Sequence, residues 1–588
     1  MYVIRRRQVT RARSFHDNRL LHLELSIWRP RLVKAILMFG FALVVGRAFY
    51  LQVIDTHFLQ GKGQDHYLRE IETRAARGRI QDRNGELLAL STPVRAIWAS
   101  TYWARQMKEE QVRQLAQLLQ MDRRRLSSKL RRKRAAVELK RNVDQKTGEK
   151  ISSLRLPGVY QEQEYQRQYP YGTEVAHVLG ITGRDHKGLE GLELAFQEGL
   201  QGKDGSRKLI KDRRGRFVQE AAFVREAQQG GDIQLSIDMR IQHMAYSQLN
   251  KALKSSQAKA GSAIVLDSQS GEILALVNFP GFNPNDRRTL QAHRMRNRAV
   301  TDHFEPGSTL KPLVVALAIE SLPNITPKTV FDTRPGKIMV DGKTISDSHP
   351  KGKLTLQEVI MHSSNVGMVK LVEPIAPRVM WKMYDKVGFG RRLQVGYPGE
   401  AAGKLRDWRS WRPLEKATMS YGHGIAVTLL QLAHAYMPFA REGETLPLSV
   451  LKREKAVASG QGVQVFRSET VQALRSMLEM AVSDDGTAPM ARVEGYRVGG
   501  KTGTAYKVKG GKYVEEYVSS FVGIAPLSNP RLIVAVLIDE PGPRRYYGGD
   551  VAAPAFSAIM ERALRVLAVP HDNTPVENSV QRATASRG

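Results

Sequence analysis

The sequence predicts an α+β protein held by a single N-terminal transmembrane helix, and three observations carry that prediction. One apolar run of 23 residues, LVKAILMFGFALVVGRAFYLQVI, occupies 32–54. A polar, charged, turn-rich stretch follows over 55–240. From 241 onward, strand-like runs stand at both ends of a region whose middle reads as helices, the pattern of one antiparallel sheet with helices packed on it. At 588 residues the chain exceeds one typical core. The expected parts are a basic leader (1–31), the transmembrane helix (32–54), a polar domain (55–240), an α+β domain (241–568) and a flexible polar tail (569–588).

The apolar run is long enough, since about 20 residues cross ~30 Å of hydrocarbon. Its strongly polar members are Lys34, Arg47 and Gln52. Arg47 lies about 10 Å from the far end by helical rise, so it either snorkels to the interface or meets a partner helix. A cleavable signal peptide is the alternative, with 35–46 as its apolar region. Against it, the pattern continues through Phe49, Tyr50, Leu51, Val53 and Ile54 behind a long basic leader. That leader carries arginines at 5, 6, 7, 11, 13, 19, 29 and 31 against Asp17 and Glu24, so the positive-inside rule keeps it cytoplasmic and exports the rest.

The net charge of +32 calls for anionic surroundings: nucleic acid, anionic lipid or an acidic polymer. Export argues against nucleic acid. Two basic runs, RRRQVTRAR (5–13) and DRRRLSSKLRRKRAAVELKRN (122–142), read equally well as solvated faces. With no cysteine, neither a disulfide framework nor a thiolate metal site is possible.

In chain order, RGRIQDRNGELLAL (77–90) reads as strand, Asn-Gly turn, strand. Helical periodicity covers 108–119 and 122–139, and GLEGLELAFQEGLQGKDGSRK (188–208) reads as a short amphipathic helix ending at glycines. GSAIVLDSQSGEILALVN (261–278) is a hairpin by its pattern. Helices follow at 313–321 and 429–440, then strands at 518–526 and 532–540 and a helix at 552–567.

The chemistry-bearing stretch is FEPGSTLKP (304–312). Four Ser-x-x-Lys matches occur, at Ser256, Ser308, Ser348 and Ser449, so the pattern alone says little. Pro312 is tolerated only in a first helical turn, which starts a helix close to Ser308 and sets Lys311 on the same face. The Ser308 N–H is then free to donate to an oxyanion. A plain helix cap with a solvated Lys311 fits the same residues. HSSNVG (362–367) holds a Ser-x-Asn triplet, Ser363 and Asn365, which serves either as proton relay and amide-holding group or as a helix cap. VGGKTGTAYKV (498–508) places Lys501, Thr502 and Gly503 in a strand-like run where a substrate backbone can approach and a carboxylate can be bound.

In this order the three elements resemble the penicillin-binding proteins, whose motif set is Ser-x-x-Lys, Ser-x-Asn and Lys-Thr-Gly. The anchor, RGRIQDRNGELLA and GLEGLE resemble the pedestal of the class B members, and RNRAVTDHFEPGSTLKP, SYGHGIAVTLLQLAHAY and YYGGDVAAPAF resemble the division-specific type, penicillin-binding protein 3. The resemblance implies a penicillin-binding and serine β-lactamase-like fold on an elongated, dimerisation-type pedestal. It implies an inner-membrane, single-pass, periplasmic D,D-transpeptidase that cross-links peptidoglycan stem peptides at the septum, is acylated by β-lactams, and needs no cofactor or metal. Ser308 would be the nucleophile, Lys311 its base and Ser363 a proton relay, with Asn365, Lys501, Thr502, Gly503 and Thr504 holding substrate. The N–H groups of Ser308 and Thr504 would form the oxyanion hole, His423 would be a wall residue, and division proteins including a polytopic glycan polymerase would be partners. Side-wall elongation, a β-lactamase or β-lactam sensor, and a non-catalytic division scaffold are the alternatives.

Overall fold

The computed structural model describes residues 28–55, 68–211, 217–455, 457–458 and 460–573. The expected leader, apart from 28–31, and the tail beyond 573 lie outside the described residues. The chain divides into two compact units, one comprising residues 1–72 with 206–225, the other 73–205 with 226–588.

The first unit carries helix α1 (Trp28–Phe49), which starts four residues earlier than the apolar run and continues through a wider turn, Tyr50–Ile54. None of its residues is buried, and the 27 residues together are long and apolar enough to cross a membrane. Its other element is a three-stranded sheet ordered Leu68–Thr73, Gly205–Lys211, Phe217–Arg225.

The second unit begins with the pedestal sheet. Strands β1 (Ile80–Gln81), β2 (Leu87–Ser100), β3 (Ala136–Val143) and β4 (Val159–Gln168) are antiparallel, and β1 pairs in parallel with β5 (Ile233–Gln234). The Asn-Gly hairpin forms as its turn chemistry requires, with Gly85 at φ +93°. Helices α2 (Glu109–Leu118) and α3 (Arg123–Leu130) cover β2 and β3 through Leu115, Leu126, Val137 and Leu139. Here one expectation fails: the helical periodicity at 122–139 is helix only to Leu130, and from Ala136 the chain is strand β3. Pairing with β2 satisfies that backbone, and tertiary pairing overrides a propensity worth only tenths of a kcal/mol per residue. The 188–208 segment is likewise two single-turn helices, Gly191–Ala195 and Gln197–Leu200, which lead into strand.

Both segments that resemble the pedestal meet in its core. The buried carboxylate of Glu193 accepts from Arg77 Nε (2.5 Å) and Arg167 Nε (2.7 Å), and Arg77 also donates to the Glu193 carbonyl (2.6 Å) and Gln197 Oε1 (2.8 Å). Thus the RGRI and GLEGLE segments are two halves of one ion cluster.

The remainder is built on a five-stranded antiparallel sheet. Its strands are β6 (Ala260–Asp267), β7 (Ile273–Phe279), β8 (Gly499–Lys509), β9 (Lys512–Ala525) and β10 (Leu532–Asp539), in the order β7-β6-β10-β9-β8. Every residue of β6 is buried because both faces are covered. Ala263 and Val265 face α4 (Met239–Ser255) and α7 (Ala553–Val566), while Ile264 and Leu266 face the helical layer that includes α5 (Lys311–Ser321). Lys311 to Ala318 are all buried, as expected of a helix apolar on every side.

Candidate active site

The site forms where the start of α5 meets the edge strand β8. Residues Gly307–Leu310 make a tight 3₁₀ turn that runs directly into α5, with Pro312 in the first helical turn, so Ser308 precedes the α-helix by three residues. Gly307 holds φ +57°, and a Cβ there would lie 3.7 Å from Thr504 N and 3.5 Å from Thr504 O on β8. Gly503 allows this closeness: a Cβ on it would stand 2.7 Å from Pro306 O and 2.5 Å from Ser520 Oγ. The room that Gly503 leaves is therefore filled by the chain itself, where the sequence suggested space for a substrate backbone. As β8 is the outer strand of the sheet, alternate backbone groups on it face the Ser308 turn instead of another strand.

Lys311 is fully buried, and its three ammonium donors reach Ser363 O (2.5 Å), Ser363 Oγ (3.1 Å) and Asn365 Oδ1 (2.8 Å). None goes to Ser308, whose half-buried hydroxyl has no hydrogen-bond partner among the described residues. Burial and then the positive charge of Lys501 hold the Lys311 amine well below its ordinary pKa, against a smaller opposing pull from Asp347. Lys501 is also fully buried, and desolvation pushes it down to about 7. Its ammonium donates to Thr487 Oγ1 (3.3 Å) and Thr502 Oγ1 (3.2 Å).

Ser363 sits in the left-handed region at φ +61°, a conformation costing of order 1 kcal/mol or more for a side-chain-bearing residue. The strain is held by helix α6 (Asn365–Val372), which starts two residues later. Ser364 caps it, accepting from Gly367 N (2.9 Å). Asp347, 9 % exposed, anchors the whole turn: it accepts from Asn365 N (2.5 Å), Val366 N (2.9 Å) and Ser364 Oγ (2.7 Å). A carboxylate at a helix N-terminus is favourable electrostatically. Asn365 is fixed at both ends of its amide, giving Nδ2 to Ser346 O (3.0 Å) and receiving Lys311 on Oδ1. Asp347 and Thr487 belong to none of the motifs read from the sequence. An acidic residue 16 positions before the Ser-x-Asn triplet, in a loop after a hairpin, carries no local signal.

The rim holds a second polar group. Glu305 receives His423 Nδ1 (2.9 Å), Gly424 N (2.8 Å) and Tyr513 OH (3.1 Å). Burial raises the Glu305 pKa, but these donors outweigh it and leave the carboxyl below its usual value. His423 is tied to Glu305, and the Tyr421 ring lies 5.5 Å away. Thr504 turns its hydroxyl towards Gly548 N (3.0 Å).

Residues 261–561 match the penicillin binding protein transpeptidase domain, and residues 72–235 match the penicillin-binding protein dimerisation domain. The chain is a class B penicillin-binding protein. Like this penicillin-binding protein in sequence is the probable peptidoglycan D,D-transpeptidase PenA of Neisseria gonorrhoeae, 40% identical over 534 residues covering 90% of this chain and 91% of the relative. The peptidoglycan D,D-transpeptidase FtsI of Escherichia coli K12 is 36% identical over 558 residues, 94% of each chain. Among solved structures, the transpeptidase domain of Burkholderia pseudomallei penicillin-binding protein 3 is 46% identical, covering 58% of this chain and 98% of that one at a TM-score of 0.53. A Bifidobacterium adolescentis peptidoglycan synthetase covers 87% of this chain and 98% of its own, at 26% identity and a TM-score of 0.68.

Proposed function

We propose that this penicillin-binding protein is a septal peptidoglycan D,D-transpeptidase, with Ser308 as its nucleophile. The observation that carries the reading is Lys311: a fully buried lysine, beside a second buried lysine, with its amine held among Ser363 and Asn365. Three acceptors suit an ammonium. As a neutral amine the group donates only twice, which frees a lone pair for the Ser308 hydroxyl proton.

The Ser308 oxygen then bonds the penultimate D-Ala carbonyl carbon while its proton moves to Lys311. The resulting oxyanion accepts from the N–H groups of Ser308 and Thr504. Collapse breaks the peptide C–N bond, and terminal D-Ala leaves as an amine that takes the proton through Ser363. An amine from a neighbouring stem peptide attacks the ester, returns a proton to Ser308 by the same relay and closes the cross-link. Water in its place gives carboxypeptidase-type hydrolysis. Lys501 and Thr502, with the Thr504 hydroxyl, bind the terminal carboxylate, Asn365 positions Lys311 and the substrate amide, and Gly503 lets the nucleophile turn lie against β8. β-Lactams acylate Ser308 as mimics of the D-Ala-D-Ala end.

The same reading divides the chain into a cytoplasmic leader (1–31), an anchor (32–54), a periplasmic pedestal (55–240), the transpeptidase domain (241–568) and a tail (569–588). The anchor holds it in the bacterial inner membrane beside division proteins that include a polytopic glycan polymerase. The likeness to FtsI and the arginine-rich leader support the septal assignment and the orientation.

The test is fluorescent penicillin labelling of the full chain in detergent, with peptide mapping of the adduct. An adduct on Ser308, absent from Ser308→Ala, is the expected result. Labelling elsewhere, or none from folded protein, overturns the assignment.

A further inference from the structure

The basic run at 122–142 plays no part in the reaction just described, yet the fold gathers it on one face of the pedestal. Ten of these residues are Lys or Arg, against Asp122 and Glu138. The apolar side of α3, Leu126 and Leu130, is sunk in the pedestal core, so the cations fall outside. Arg124, Arg125, Arg131, Arg132, Lys133 and Arg134 are exposed, and among the described residues none of the six has an ion-pair partner. Lys129, lying among them, is pushed below its ordinary pKa by burial and then by the charge of Arg125 and Arg132.

A second observation extends the face. Lys140 and Arg141 on β3 line a groove shared with Arg125 and Lys129, and Arg141 passes on into a cleft of about 560 Å³ bounded by β4 and by loops at 182–186 and 284–287. The cations of that cleft are Arg141, Arg167, Arg184 and Arg287, facing Glu138 and Glu164, both of which pair with Arg141. Arg167 is 8 % exposed, and its Nη2 has no hydrogen-bond partner among the described residues, leaving a buried donor beside the cleft.

We propose that this face is a binding track for the carboxylate groups of peptidoglycan, holding the polymer apart from the reaction centre. A row of cations that is unpaired along the helix and the turn after it, and continues across a strand into a cleft, fits a chain of repeated carboxylates better than a single small anion. A lipid surface fits less well, because the apolar face of α3 is already buried and has nothing to insert. The inference rests on the reading of the chain as an exported peptidoglycan transpeptidase.

The experiment sediments the full chain in detergent with purified sacculi. Retention is expected to fall with added salt, and R124Q/R125Q/R131Q/R132Q is expected to lower it by about tenfold or more, as screening and lost charge both remove the attraction. Penicillin labelling of Ser308 stays unchanged in that variant, and K251Q/K254Q/K328Q/R392Q, which removes the same charge from exposed sites elsewhere, keeps retention near the parent value. Sacculi with amidated carboxyls are expected to release the protein. Full retention by the arginine variant or by amidated sacculi overturns the track, as does equal loss in the control or capture by phosphatidylglycerol vesicles in preference to sacculi. Loss of Ser308 labelling in the parent chain would instead strike the transpeptidase reading.

Discussion

Two of the buried groups of charge in this molecule obey opposite rules. In the pedestal, two guanidiniums surround one carboxylate: Glu193 receives both Arg77 and Arg167, and each guanidinium also donates to a backbone carbonyl. Beneath the Ser308 turn, Lys311 and Lys501 are buried as like charges, with no carboxylate at ion-pair distance among the described residues and only neutral oxygens as acceptors. Opposite charges compensate one another and make a strut. Burial, with a like charge beside Lys311, favours the loss of a proton and leaves a base. Burial alone, then, does not mark function; whether an opposite charge compensates it does.

The sharpest way to break this comparison is Glu193→Ala, which leaves two buried guanidiniums uncompensated. Removing one partner of a buried ion cluster destabilises by about 3–5 kcal/mol. The first thermal transition of the full chain is expected to fall accordingly, while the fraction still folded acylates with penicillin at the parent rate. An unchanged transition would remove the cluster from its structural role.

Lys311→Met is the mirror experiment. Penicillin acylation is expected to drop by about 10²-fold or more, the usual worth of a positioned base, or roughly 2.7 kcal/mol of barrier. Thermal stability is expected to hold or rise, because an apolar chain of similar volume replaces a buried polar amine. A variant that loses stability and keeps its acylation rate would put Lys311 in the same class as Glu193.

The two groups also differed in how far the sequence revealed them. Ser308, Lys311 and Pro312 stand out in the sequence because a proline in a first turn ties three residues to one short geometry, and the structure brings Lys311 beside Ser363 and Asn365, with the Lys501 charge acting on it. The sheet was legible for a similar reason: β6, β7 and β10 are unbroken apolar runs between turn residues. Arg77 and Glu193 stand 116 residues apart, and nothing near either announces the other. The end of α3 was illegible because an arginine-rich run keeps helical periodicity on paper, whereas the chain turns at Arg131–Ala135 to pair β3 with β2. Asp347 was missed since a helix N-terminus takes a carboxylate from any loop that reaches it.

Asp347 gives the next smaller effect. Asp347→Asn keeps the shape but removes the charge that receives the first turn of α6 and draws Asn365 into place. Acylation is expected to fall by about fivefold to tenfold, in line with the ~1 kcal/mol typical of a charged cap. The Asp347 charge favours the Lys311 ammonium, so its loss lowers that pKa further and moves the acid limb of the acylation profile to lower pH. A limb that moves to higher pH would mean that Lys311 is not the group being titrated.

The last test lies in the pH dependence of stability. Lys501 holds a proton in the folded chain only below about 7, whereas its ordinary value is 10.5. Between those two values the unfolded chain binds more protons than the folded one, so this lysine makes stability rise with pH across that window and adds nothing to the slope outside it. Lys311, depressed in the same direction, adds to the slope with the same sign. In Lys501→Met the thermal midpoint is expected to exceed the parent value near pH 7, and the advantage is expected to shrink towards pH 10 as the parent sheds its penalty. A parent slope that Lys501→Met does not reduce would show that the second lysine is not a buried cation at neutral pH, and the contrast between the two groups would rest on Lys311 alone.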